Sequence, residues 1–329
     1  MMLVETLAAC ALCAVPAALP AAASSSAIPT TPPPAAVSDA PAAAIEPAPR
    51  EPRWTVRVDA FASSDADGTE VLRTGINLDL ANESGDRYQG MRLEKALFRP
   101  LGQRTTGFER AYLRYADKIG RWSLSGQAGT DGRVPLGAAS AALEGPWRKE
   151  LFVERDIVET PRGVREGLYY TFAGFALDVP LGERDSAAIV AGAQEFTGKN
   201  VRLHLRGQYA HTLQPAWGLS AQLRGRYFLS TEPGEFDYFS PRWHAEALPV
   251  LQVRRFSGGW RYLAAAGLGA QRDSRSGWRQ SRYLNLRVAS PAARAGWSLT
   301  GELLYNSTPV IESDSYHYLR VNFGLNRAF

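Results

Sequence analysis

The feature that most limits what this chain can fold into is a two-residue period. In Val201-Arg202-Leu203-His204-Leu205-Arg206-Gly207-Gln208-Tyr209, every second residue is apolar or glycine and the others are polar. Successive side chains of an extended strand point to opposite faces, so this pattern gives one wet face and one greasy face. Leu219-Ser220-Ala221-Gln222-Leu223-Arg224-Gly225-Arg226-Tyr227 repeats it, and so does Leu319-Arg320-Val321-Asn322-Phe323-Gly324-Leu325-Asn326. A helix would scatter Arg202, Leu205 and Arg206 around one cylinder without a clean apolar stripe. The segments are strands.

Such segments recur at a spacing of roughly 17 residues and run about 10 to 14 residues, the length a tilted strand needs to cross a bilayer. They fall at 54–61, 70–81, 87–98, 107–116, 121–130, 137–144, 149–156, 167–178, 187–196, 200–212, 217–230, 244–256, 260–271, 279–289, 296–306 and 316–329. About sixteen strands is an even number, as bacterial transmembrane barrels require. Connections after even strands are mostly short and punctuated, as in Asp117-Lys118-Ile119-Gly120 and Ser257-Gly258-Gly259. Several after odd strands are longer, notably 231–243 and 307–315. Short periplasmic turns and long outer loops are the expected asymmetry, which puts both chain ends in the periplasm. The fold expected is all-β: a transmembrane antiparallel up-and-down barrel of about 16 strands in the bacterial outer membrane. A soluble β-sandwich also alternates. It accounts less well for the many long strands, the glycines and tyrosines on the apolar face, and a final strand whose last residue, Phe329, keeps the apolar phase.

Composition agrees where it is informative. No apolar run long enough for a transmembrane helix follows the N-terminus. The mildly negative mean hydropathy does not argue against a membrane barrel, whose inward and outward residues cancel. Thirteen tyrosines and eight tryptophans suit aromatic girdles. The net charge of +4, from 37 basic and 33 acidic residues, is mixed and interleaved, so no nucleic-acid partner is expected.

Before the barrel, two segments are expected. Residues 1–23 read as a signal peptide with an alanine-rich apolar stretch and a small-residue site at Ala21-Ala22-Ala23, although no Lys or Arg precedes it. Leu7-Ala8-Ala9-Cys10 has the look of a lipoprotein box but lies too near the start to follow a full apolar region. Residues 24–52 are Pro/Ala-rich and read as a disordered spacer. The barrel then occupies 53–329. The only cysteines, Cys10 and Cys13, fall in the signal, so the mature chain has no thiol chemistry or disulfide. No His-Glu-x-x-His, no Gly-x-Ser-x-Gly elbow and no phosphate-cradling loop occurs. His244 near Ser240 has no positioned acid in view. The expectation is no enzyme, no metal and no cofactor.

Residues 150–329 resemble the barrels of bacterial exopolysaccharide export proteins, such as the poly-N-acetylglucosamine and cellulose export porins. The resemblance rests on Glu154-Arg155-Asp156-Ile157-Val158-Glu159-Thr160, Gly163-Val164-Arg165-Glu166-Gly167-Leu168-Tyr169-Tyr170, and Gln194-Glu195-Phe196-Thr197-Gly198-Lys199-Asn200-Val201-Arg202. It is clearest in Phe236-Asp237-Tyr238-Phe239-Ser240-Pro241 leading to Glu246-Ala247-Leu248. It implies an outer-membrane channel for an exopolysaccharide, of the kind that serves biofilms. The partners it implies are membrane lipid, the barrel assembly machinery (reading the last strand and Phe329), the polymer itself, and a periplasmic or inner-membrane synthase complex. Those exporters usually carry helical repeats before the barrel, and no such repeat of about 34 residues occurs here. The resemblance then implies a separate periplasmic protein in that role. A small-solute diffusion porin and a receptor barrel without transport are the alternatives.

Alternation assigns the lumen. Candidate lining residues are Arg92, Glu94, Arg110, Arg114, Glu154 and Asp156, then Arg202, His204, Arg206, Arg224, Arg226 and Glu246, then Arg254, Arg287, Glu302 and Arg320. Arg57, Asp59, Asn77, Asp79, Gln222, Asn322, Tyr170, Tyr316 and Tyr318 share their phase. Charged and amide groups hydrogen-bond sugar hydroxyls, and aromatic rings stack on sugar faces. The same residues can instead pair with one another across strands and simply fill the barrel. Phe236, Asp237, Tyr238 and Phe239, on a long outer loop, form a candidate constriction, or alternatively sit at the membrane interface.

Overall fold

The computed structural model describes residues 53–66, 68–84, 87–291, 296–307 and 317–329. The expected signal peptide and spacer, Tyr316, and most of the 307–315 loop lie outside the described residues.

Sixteen strands follow one another: β1 (Arg53–Asp65), β2 (Glu70–Ser84), β3 (Arg87–Arg99), β4 (Thr106–Ile119), β5 (Trp122–Thr130), β6 (Pro135–Leu143), β7 (Arg148–Ile157) and β8 (Tyr169–Pro180). Then come β9 (Asp185–Phe196), β10 (Val201–Gln214), β11 (Leu219–Ser230), β12 (Trp243–Ser257), β13 (Trp260–Asp273), β14 (Arg279–Ala289), β15 (Trp297–Asn306) and β16 (Tyr318–Ala328). Each pairs antiparallel with its sequence neighbours, and β1 pairs with β16 from Thr55↔Ala328 to Asp65↔Tyr318. Closure leaves no unpaired sheet edge, which a bilayer would not tolerate. The strand count and the up-and-down order expected from the period are those observed.

The outer face is apolar and bare. Ile76, Leu93, Leu113, Leu151, Leu205, Leu223, Leu251, Leu268 and Phe323 all point outward and are exposed. In water such a surface would aggregate; in lipid it is the solvated one. Trp54, Trp122, Trp147, Trp217, Trp260 and Trp297 all lie at the end of the barrel that carries the chain termini, and all are exposed. They form an aromatic belt, placing indole rings where headgroups meet tails.

The two ends differ. The three longest connections, 158–168, 231–242 and 307–317, are all at the end away from the termini. At the terminal end the β12–β13 turn is only Gly258-Gly259, both with positive φ (57° and 80°). Two left-handed residues in a row match the twist of the flanking strands, and glycine adopts that backbone without steric penalty.

Candidate functional site

Every described lumen candidate projects inward, because the phase of the strand leaves no other choice. What differs is their surroundings, which divide the lumen into three regions.

On the β1–β4 wall, with β7, the charges consume one another. Arg92 reaches Asp59 at 2.6 Å and Glu94 at 2.7 Å. Arg110 reaches Glu94 at 3.1 Å and Asp156 at 3.4 Å. Arg114 binds Asp79 at 2.8 Å and Asn77 donates to Asp59 at 2.8 Å. Arg73 reaches Glu159 at 3.4 Å, and the Tyr170 hydroxyl donates to Glu154. Arg92, Glu94, Arg110, Arg114, Glu154 and Asp156 are all buried. An ideal Cβ at inward-facing Gly75 would lie 2.4 Å from the Arg92 guanidinium, so that glycine makes room for the network. Buried charges are costly unless paired or hydrogen-bonded, and each of these has at least one such partner.

Toward the long-loop end of β8–β12 the lumen is aromatic. The Phe228 ring lies between His204 (5.7 Å) and His244 (5.1 Å), and Phe172 meets His204 edge-on at 5.1 Å. The guanidinium of Arg202 sits 5.1 Å from the Phe196 ring and 4.6 Å from that of Phe228, and donates to the Phe239 carbonyl. Two loops roof this cluster. A short helix α1 (Pro161–Glu166) lies in the β7–β8 connection; Thr160 caps it by accepting from Gly163 N at 3.0 Å, and Pro161 occupies the position where an N–H is not needed. The 231–242 loop folds in beside it. Asp237 accepts from the Thr160 hydroxyl at 2.6 Å and from Arg162 N at 2.7 Å. Phe236 lies under the Arg162 guanidinium at 4.7 Å, Tyr238 stacks on Phe196 at 4.2 Å, and Phe239 meets His244 at 5.8 Å. Tyr238 and Phe239 are buried inside the barrel mouth and stand away from the membrane interface.

The half nearer the termini carries shorter inward side chains. Inward-facing Ser125 and Thr300 are exposed and Ser140 is half-buried, while Thr55, Ser186 and Ser220, also toward the termini, are buried, as are inward residues near the long loops such as Phe61, Phe98, Gln271 and Arg320. The short side chains of β5 and β6 thus leave room where the arginines of other walls do not. Arg206, Arg224, Arg226 and Glu246 line a small pocket of about 50 Å³, together with Gln208, Leu248 and Tyr283. Arg254 lies further toward the termini and is partly exposed. Arg287 and Arg320 converge on Glu302 at 2.7 and 3.0 Å, and Asn285 and Asn322 also donate to it, each at 2.9 Å.

Several contributors were not singled out from sequence. Arg73, Phe172, Phe228 and Tyr283 are in phase with residues that were, so the period alone could have found them. Helix α1 and its tie to Asp237 bridge 77 residues of chain, and only the Thr160-Pro161 start signal hints at the helix.

No family model matches this chain, and no curated protein matches it in sequence. Among solved structures, a barrel described as a bacterial polysaccharide outer membrane secretin superposes with a TM-score of 0.65 at 14% identity, covering 84% of this chain and 98% of that one. Acinetobacter baumannii OccAB3 follows with a TM-score of 0.43 at 12% identity, covering 85% and 99%. Pseudomonas aeruginosa OccK5 gives 0.42 at 9%, covering 85% and 98%. The first likeness is one of fold. With the apolar exterior and aromatic belt, it places this chain among the β-barrels of the bacterial outer membrane.

Proposed function

We infer that the protein is an outer-membrane channel for outward passage of an exopolysaccharide, roofed by its 158–168 and 231–242 loops. The observation that carries this reading is the uneven lumen. Its inward side chains are short and polar, with Ser125 and Thr300 exposed, toward the end bearing the termini, which the loop asymmetry assigns to the periplasm. At the other end the 158–168 and 231–242 loops pack together over the aromatic cluster by side-chain contacts rather than by the sheet. Such an arrangement admits a polymer from inside the cell and opens outward by loop movement alone. The secretin-described barrel of like fold supports the choice of a polysaccharide. Synthase and periplasmic partners belong to the same reading, since a polymer must be delivered to the open mouth. No catalytic role is part of it.

Deleting the gene should abolish secreted polysaccharide while leaving intracellular polymer synthesis measurable. Unchanged secretion with impaired uptake of small solutes would instead establish a diffusion porin. The confined cavity, bounded on one side by packed arginines, favours that second reading over a wide passage. Unchanged secretion and uptake, with altered phage or ligand sensitivity, would establish a receptor.

A further inference from the structure

On the outer face, two walls of the barrel treat their basic residues differently. Near the long loops of β2–β4 the outward bases sit opposite acids: Lys95 lies 3.6 Å from Glu109 and Arg99 4.0 Å from Glu70. From β10 to β16 the described outward strand positions hold no Asp or Glu. Four arginines share that outward phase. Arg255 and Arg327 lie at the end of the termini, where Arg255 donates to the Ala216 carbonyl at 2.9 Å and Arg327 packs on Trp297 and Phe329 at 5.0 and 4.5 Å. Arg272 and Arg282 lie at the long-loop end. Both are exposed, and neither meets a carboxylate among the described residues.

The surroundings of these two are those of a lipid headgroup. The Arg272 guanidinium lies 5.9 Å from the Trp243 ring, an indole of the kind that marks the lipid–water boundary. Arg282 Nε donates to Gln280 Oε1 at 2.8 Å, and a neutral amide orients the fork without cancelling its charge. Arg282 faces Leu268 on β13, four residues from Arg272, so their Cα atoms are roughly 14 Å apart at ordinary strand rise and spacing. Away from the loops the face turns apolar. Leu284 and Leu286 on β14 face Ala266 and Ala264 on β13, and those alanines face Leu251 and Val253 on β12. Small side chains between two rows of larger ones form a shallow furrow along β13. A guanidinium is costly against mid-depth hydrocarbon and tolerated at the interface, which sets the arginines at headgroup level with the furrow among the tails. Two acid-free guanidiniums above an apolar furrow complement an amphiphile with an anionic head. A second copy of the barrel would set arginine against arginine.

We propose that the outward face of β12–β14 at the long-loop end docks a phosphate-bearing lipid of the outer leaflet, with Arg272 and Arg282 taking its phosphates and the Ala264–Ala266 furrow an acyl chain. Planar guanidinium forks match phosphate oxygens in paired, charge-assisted hydrogen bonds. The span between the arginines suits a head that carries more than one phosphate. This face looks away from the lumen, so the proposal stands apart from the channel reading.

The test is native mass spectrometry of the folded barrel in a neutral detergent, with three probes: bisphosphorylated lipid A, the same lipid stripped of its phosphates, and inorganic pyrophosphate. The wild type should bind the phosphorylated lipid at least about tenfold more tightly than the stripped one, a factor within reach of charge-assisted contacts. R272Q/R282Q should bind the two lipids alike. K95Q/R99Q, which alters bases already beside acids, should keep the wild-type preference. Q280E keeps both arginines and sets a carboxylate beside Arg282; it should weaken binding of the phosphorylated lipid and serves if the double variant does not fold. Equal wild-type binding of the two lipids overturns the proposal. An equal loss in K95Q/R99Q and R272Q/R282Q also overturns it, since any base on the wall would then serve. Pyrophosphate bound as tightly as the phosphorylated lipid would overturn lipid docking, because the tails would contribute nothing. A lipid-free dimer that disappears in R272Q/R282Q would assign the face to a second copy and overturn the lipid.

Discussion

Arg92 and Arg224 carry the same guanidinium into the same lumen to different ends. Arg92 is almost fully buried between Asp59 and Glu94. Arg92→Ala takes the shared cation from two carboxylates, leaving Glu94 only Arg110 and Asp59 only the neutral Asn77, and removing one partner of a buried pair costs about 3–5 kcal/mol. Urea unfolding from lipid vesicles should show that loss, and a change below about 1 kcal/mol would mean the network does not hold the barrel together. Arg224 is partly exposed and donates to the neutral Gln222 amide beside the Tyr283 ring, so Arg224→Gln should leave stability within about 1 kcal/mol. Gly75 tests the same network from the backbone. Gly75→Val puts side-chain atoms where the Arg92 guanidinium lies, so it should destabilise through the same contacts. The G75V/R92A double variant should then lose clearly less than the sum of the two singles, as coupled neighbours do. Strict additivity would show that the glycine is needed for something else.

At the scale of elements, the strands and the roof obey different rules. Asp237 ties the 231–242 loop to the first turn of α1, where the Arg162 N–H needs an acceptor. Asp237→Ala should cost about 1–2 kcal/mol locally, the usual worth of an N-terminal cap contact. Hydrogen exchange should quicken in both 158–168 and 231–242 while the global unfolding midpoint stays put. Unaltered exchange in 158–168 would show that the two loops are not coupled. This contrast also explains what could be read in the sequence. Strand order, count and facing were legible because a period of two is local and nearly every strand repeats it; β10 and β11 were recognisable from the stretches 201–209 and 219–227 alone. The polarity of the lumen followed from the same period. Whether an inward charge is spent or available was not legible, since Arg110 meets Asp156 across 46 positions of chain, and such pairing depends on register around the whole barrel. Nor was α1, whose six residues are too few to show a helical period. For the segment 236–239 the sequence left a lumenal and an interfacial placement open, because its anchors, Thr160, Phe196 and Arg202, come from other hairpins.

At the scale of the molecule, a closed sheet held by its hydrogen bonding carries at one end loops that are not part of that sheet. Free energy for opening then comes from breaking the contacts of Asp237, Tyr238 and Phe239, not from deforming strands. The central claim is that these loops shut a channel. Single-channel recording in planar bilayers tests it most directly, comparing the wild-type barrel with one lacking residues 234–239, both verified as folded and each with and without oligosaccharide on the side of the termini. The account predicts little conductance from the wild type, a stable and clearly larger conductance from the shortened form, and block of the latter by the oligosaccharide. Equal conductance from both forms would contradict the roof, and silence from both would contradict the channel.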